Sequence, residues 1–74
     1  MSKHKNIHQK IASNIRGFRK DKGVSQEELA LSAGLNRAYI GYIERGERRP
    51  SVDTLMSIAV ALDLELHKLF IFTH

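Results

Sequence analysis

The side chains best suited to chemistry lie just after Gly34. Asn36, Arg37, Ala38 and Tyr39 come in succession, and only then do Ile40 and Ile43 offer something a core could hold. Tyr42 follows, and Arg45, Arg48 and Arg49 cluster a few positions on. An amide, guanidiniums and phenols in this order suit a polar partner better than a core. They do not suit catalysis. Glu27, Glu28, Asp53 and Glu65 fall in expected first turns of helices, where a carboxylate complements the helix dipole. Ser25 and Ser51 stand at cap positions. No nucleophile–base spacing and no phosphate-cradling glycine loop is present, so the chain reads as a binding protein rather than an enzyme. His4 and His8 are spaced to put two ligands on one helix face. Nothing else completes a metal site, so neither metal nor cofactor is expected. His67 and His74 are expected at solvent or at an interface.

The elements that must position these residues read as short helices joined by tight turns. Ile7, Ile11, Ile15 and Phe18 keep a helical period, which predicts a first helix over about 6–22. Lys20 and Lys22 load its end and Gly23 stops it. The run SQEE from Ser25 is a capping box that opens a second helix, with Leu29, Ala30 and Ala33 as its apolar face. Gly34 ends that helix. Asn36 is a good N-cap for a third, which runs to about Arg45 with Gly46 as its terminating glycine. The polar loop ERRPS closes at Pro50. Ser51 then caps a fourth helix carrying Val52, Leu55, Ile58, Ala59 and Leu62. Asp63 interrupts, and Leu64, Leu66, Leu69 and Phe70 mark a fifth short helix. The expected fold class is all-α, a compact five-helix domain spanning 1–74.

The bulk numbers agree. The chain has 74 residues, a net charge of +4 and 42% hydrophobic residues, which suits one small domain with a small core. The chain has no cysteine, which removes disulfides and Cys-based zinc sites and fits a reducing cytoplasm. The basic N-terminus is not followed by an apolar run, so it is not a signal peptide. No stretch approaches the roughly 18 apolar residues of a membrane span. The positive balance is a weak pointer to an anionic partner.

The second and third helices carry the function. Ala30 precedes Gly34 by four, Ile40 follows it by six, and Ile43 follows Ile40 by three. A steep crossing of two short helices needs a small residue at the contact, here Ala30. The turn needs a residue that tolerates positive φ, here Gly34. Ile40 and Ile43 share the face that packs back on the core. This is a helix-turn-helix pattern over about 25–45, with the third helix as its recognition helix.

On these residues the chain resembles the phage-repressor and Cro-like helix-turn-helix family, over about Ile15 to Phe70. SQEELALSAGL matches the second helix and turn. YIGYIERGERRPSVDTL matches the third helix, its loop and the start of the fourth. Within the family LNRAYIGYIERGERRPS is similar to the small controller proteins of restriction–modification systems.

The resemblance implies a sequence-specific regulator of transcription that binds double-stranded DNA. The start of the third helix would enter the major groove, with Arg37, Ala38, Tyr39 and Tyr42 at base edges. Arg37 can pair with guanine O6 and N7, worth about 1–3 kcal/mol of discrimination, and Ala38 can meet a thymine methyl. Ser25, Gln26, Asn36, Arg45, Arg48 and Arg49 would contact phosphates. Arg19 and Glu44 match a structural ion pair. Gly41 inside a helix costs about 1 kcal/mol against alanine. Either close approach of a backbone requires it or the position is unoptimised, and packing or clearance is the preferred expectation. Leu66, Leu69, Phe70, Ile71 and Phe72 exceed what so short a chain buries easily. Residues 63–74 are therefore expected to make a homodimer, with Leu66, Leu69, Phe70 and Phe72 at its interface. Half-sites would stand about 34 Å apart. The competing account of this tail is a segment folded back on the monomer core. No small-molecule ligand is evident. Two other functions remain open: an antitoxin-like module that covers a protein, which would tolerate loss of Arg37 and Tyr39, and a nonspecific basic nucleic-acid binder.

Overall fold

In the computed structural model, residues 3–72 are described, with side chains from Ile7 onward. Four α-helices occur, α1 (Lys3–Lys22), α2 (Gln26–Ala33), α3 (Arg37–Glu44) and α4 (Val52–Ala61), followed by a 3₁₀ turn over Leu66–Phe70. There is no strand among the described residues. α1 starts three residues earlier than the apolar period implies, because a polar first turn carries no periodic signal. None of the described helices is long and apolar enough to cross a membrane. The side chain of His4 and all of His74 lie outside the described residues.

One device ends every α-helix. A residue one or two positions past the helix takes positive φ, and the next amide reaches back five residues in the Schellman manner. Val24 N donates to Arg19 O at 3.2 Å, Leu35 N to Ala30 O at 2.8 Å, Glu47 N to Tyr42 O at 2.8 Å and Leu64 N to Ala59 O at 2.8 Å. Gly23, Gly34 and Gly46 supply the left-handed residue at φ 79°, 71° and 75°. At the end of α4 the same place is held by Asp63 at φ 60°, the one non-glycine residue of positive φ among those described.

Ile15, Leu29, Ile40, Ile43, Ile58 and Leu69 are fully buried, so every helix and the 3₁₀ turn reach the core. Each such side chain contributes about 1.5–3 kcal/mol relative to exposure. α2 packs on α3 and α4, α1 crosses α3, and the 3₁₀ turn bridges α1 and α4.

The fifth element differs from expectation. It is one 3₁₀ turn, because Leu64 is used in closing α4 and Glu65 makes no side-chain cap. The exit is also captured from outside: Asn14 Nδ2 donates to Leu69 O at 3.0 Å and to Ile71 O at 2.9 Å.

Candidate nucleic-acid interface

The turn places the front of α3 outward. Gly34 lets the chain reverse, and Ala30, 2% exposed, sits at the helix contact as its size requires. Asn36 stays extended, and its Oδ1 accepts from Ala38 N at 2.7 Å, so its side chain caps α3. Ile40 and Ile43 on one face of α3 are buried, which directs Arg37 and Ala38 to solvent. Tyr39 is divided: it is half-buried and packs against the core, so only part of it is open to a partner.

Behind this front lies a charged cluster on three helices. Glu44 is the one buried charged residue among those described, at 7% exposure. Arg19 Nε donates to Glu44 Oε2 at 2.7 Å and Arg19 Nη2 to Oε1 at 3.1 Å, a bidentate ion pair. Arg19 Nη1 also donates to Val24 O at 2.8 Å. Gln26 Nε2 donates to Glu44 Oε1 at 3.1 Å. Buried charge is tolerated when each lone pair and proton finds a partner, and that holds here. The cluster fixes α3 against α1 and the start of α2. Sequence reading found the Arg19–Glu44 pair but missed Gln26 as its third member, since nothing local in QEE signals it.

The far end of α3 holds a second set. Arg45 Nε and Nη2 donate to Glu47 Oε2 and Oε1 at 3.0 and 3.3 Å. That hydrogen bond, opposed by desolvation and aided by charge attraction, holds the Arg45 pKa above its ordinary value. The guanidiniums of Arg45 and Arg48 each lie 5.3 Å from the centre of the Tyr42 ring. Tyr42 therefore serves as a stacking post for two cations. Arg49 is exposed in the same loop. Ser25 is exposed and occupied by its capping box: its hydroxyl accepts from Glu28 N at 3.0 Å while its own amide donates to Glu28 Oε1 at 2.8 Å.

Gly41 has a neighbour of an unexpected kind. A Cβ built there would meet side chains, not backbone, at 3.1 Å from Arg45 Nη1 and 3.8 Å from Gln26 Oε1.

The expected interface residues of the tail separate. Leu69 is a correction: at 0% exposure it belongs to the monomer core, where α1 and α4 enclose it, and it offers nothing to a partner. Leu66 and Phe72 are half-buried against the same core, and the Lys10 ammonium stands 5.7 Å from the Phe72 ring centre. Phe70 and Ile71 are exposed. A larger apolar surface lies on α4, where Val52, Met56 and Val60 recur every fourth residue at 66, 48 and 64% exposure. Sequence reading placed Val52 in the core stripe and did not single out the other two.

Comparison with known proteins agrees with this geometry. The model of a family described as helix-turn-helix matches residues 15–69. Control protein C.SmaI of Serratia marcescens is 44% identical over 59 residues, covering 80% of this chain and 70% of that protein. The regulator SinR of Bacillus subtilis is 38% identical over 60 residues, covering 80% of this chain but 54% of its own length. The crystal structure of the restriction–modification controller protein C.AhdI from Aeromonas hydrophila superposes with a TM-score of 0.82 at 44% identity, covering 84% of this chain and 94% of that one. On the match of turn, recognition helix and following loop, this chain belongs to the helix-turn-helix family.

Proposed function

We infer that this protein is a transcriptional regulator that binds double-stranded DNA and reads its sequence with the first turn of α3. The observation that carries the reading is the outward pair Arg37 and Ala38 on a helix held from behind by Ile40, Ile43 and the Arg19–Glu44–Gln26 cluster. A base-reading side chain needs a rigid support and an open front, and this helix has both. Arg45, Arg48 and Arg49 flank it as phosphate contacts that set orientation without reading sequence. Gln26 and Asn36 stand at helix starts, where an anion is favoured. Similarity to the control protein C.SmaI and to the restriction–modification controller protein C.AhdI supports a controller role.

The regulator acts as a homodimer on a pseudo-palindromic operator. A two-fold dimer gives two half-sites and the affinity that one small module lacks. The apolar face Val52–Met56–Val60, with Phe70 and Ile71, supplies the surface in place of Leu69. With no cofactor in the reading, occupancy of the operator follows protein concentration.

Selection from a random duplex pool at about 0.15 M salt tests this. An enriched inverted repeat is expected. Retention without a motif would reduce the protein to a nonspecific basic binder. No retention would favour a protein partner, as for the relative SinR, which is known in complex with SinI.

A further inference from the structure

Gly41 breaks a local rule. It is buried in the middle of α3, its φ is helical, and no backbone approaches it. Alanine would suit the helix better. What occupies the space is the Arg45 guanidinium, whose Nη1 would stand 3.1 Å from an added Cβ, closer than such contacts normally are. The same guanidinium is gripped on its other edge by Glu47 and faces the Tyr42 ring. Two of its five N–H groups bond Glu47, which leaves both on Nη1 and one on Nη2 as donors.

Arg45 also lines a polar groove between α1 and the start of α2, together with Arg16, Arg19, Lys20, Gln26 and Glu44. The one carboxylate there, Glu44, is already neutralised by Arg19 and Gln26. Arg16 and Lys20, exposed on α1, leave the groove cationic.

We propose that Gly41, Tyr42 and Glu47 form a seat that pre-orients Arg45 toward a DNA phosphate in the groove it shares with Gln26 and Arg16. This rests on the nucleic-acid reading above. Gly41 and Glu47 are positioning residues: they act through Arg45. The glycine clears the seat at the expense of helix stability, and the carboxylate fixes the rotamer. A long cation held in place loses less freedom on binding than one that must be ordered by its ligand.

The experiment measures melting temperature and affinity for a short random-sequence duplex, which reports phosphate contacts alone. Gly41→Ala is expected to raise Tm by about 4–8 °C. It is expected to weaken duplex binding about 3–10-fold, the loss from freeing one side chain. In an Arg45→Ala background the same substitution still raises Tm and leaves affinity unchanged. Glu47→Gln, too, weakens binding only when Arg45 is present. Unaltered binding by Gly41→Ala would overturn the seat, as would an equal loss with and without Arg45. Tighter binding by Glu47→Gln would overturn it as well, since the carboxylate would then compete with DNA for Arg45. A wild-type chain that binds no duplex removes the nucleic-acid reading and the seat together, whereas normal wild-type binding with inert variants removes the seat alone.

Discussion

The two ends of α3 are built on opposite plans. At its start, Arg37 and Ala38 stand exposed beyond the Asn36 cap. At its end, Glu44 is locked to Arg19 and Gln26, and Arg45 is held by Glu47 against Tyr42. Under the proposed function, the difference divides the labour of recognition. Side chains that discriminate among bases gain from an open front, because their partners lie on the DNA. Groups that orient the helix gain from being fixed beforehand. Substitutions at the locked end should therefore change stability or general affinity, and substitutions at the open end should change sequence preference.

The largest expected effect is at the locked end. Arg19→Ala strands a carboxylate at 7% exposure and removes three hydrogen bonds, two to Glu44 and one to Val24 O. Breaking a buried pair in this way costs about 3–5 kcal/mol. Urea unfolding followed by circular dichroism measures it. A cost under about 1 kcal/mol would mean that the cluster is no more than a surface pair.

At the open end the effect moves from stability to specificity. Arg37→Ala should leave unfolding within about 0.5 kcal/mol of wild type, as an exposed substitution does. It should lose about 1–3 kcal/mol of discrimination between the selected operator and an operator changed at one base pair. Equal losses on operator and random duplex would place Arg37 among the phosphate contacts and erase the contrast. Arg48→Ala and Arg49→Ala supply the complementary case. Each should weaken binding to all sequences alike and lower the slope of log K against log salt by about one. A shift in preferred sequence would move them into the reading set.

The two ends also differ in how far the sequence reveals them. The open end follows from local rules: a glycine of positive φ, an Asn cap, and apolar residues spaced three apart, all of which act within a few positions. SQEE is legible for the same reason, and the capping box forms with both hydrogen bonds. The locked end depends on distances between helices. Arg19 and Glu44 are legible through family resemblance. Gln26 in the same cluster, the Tyr42 stack and the Arg45–Glu47 grip depend on rotamers that no spacing encodes. Leu69 shows the limit of periodicity, which assigns a residue to a face but not to what covers that face. The 3₁₀ turn escapes for a related reason, since one short apolar run fits i+3 and i+4 bonding equally well.

The smallest effect lies away from both ends and separates fold from recognition. Asp63 closes α4 at φ 60°, where the other three helices use glycine. Its carboxylate accepts from Lys22 Nζ at 2.7 Å, and that hydrogen bond, helped by the charge attraction, holds its pKa below the ordinary carboxylate range. Asp63→Gly relieves the left-handed strain but loses the ion pair. The pair is exposed, with side chains 37 and 79% accessible, so relief should win and Tm should rise by a few degrees. The pH dependence follows from the sign of the shift. A carboxylate with a depressed folded pKa stabilises the fold above its unfolded value, and that stabilisation fades as pH falls through the folded one. Below that lower value the wild type has no ion pair left to lose. The gain from Asp63→Gly should therefore grow as pH falls below the ordinary carboxylate range, with operator binding at pH 7 unchanged. A gain that does not change with pH would show that Lys22 contributes nothing. Impaired operator binding would show that the end of α4 is coupled to recognition, which the division between the two ends of α3 does not allow.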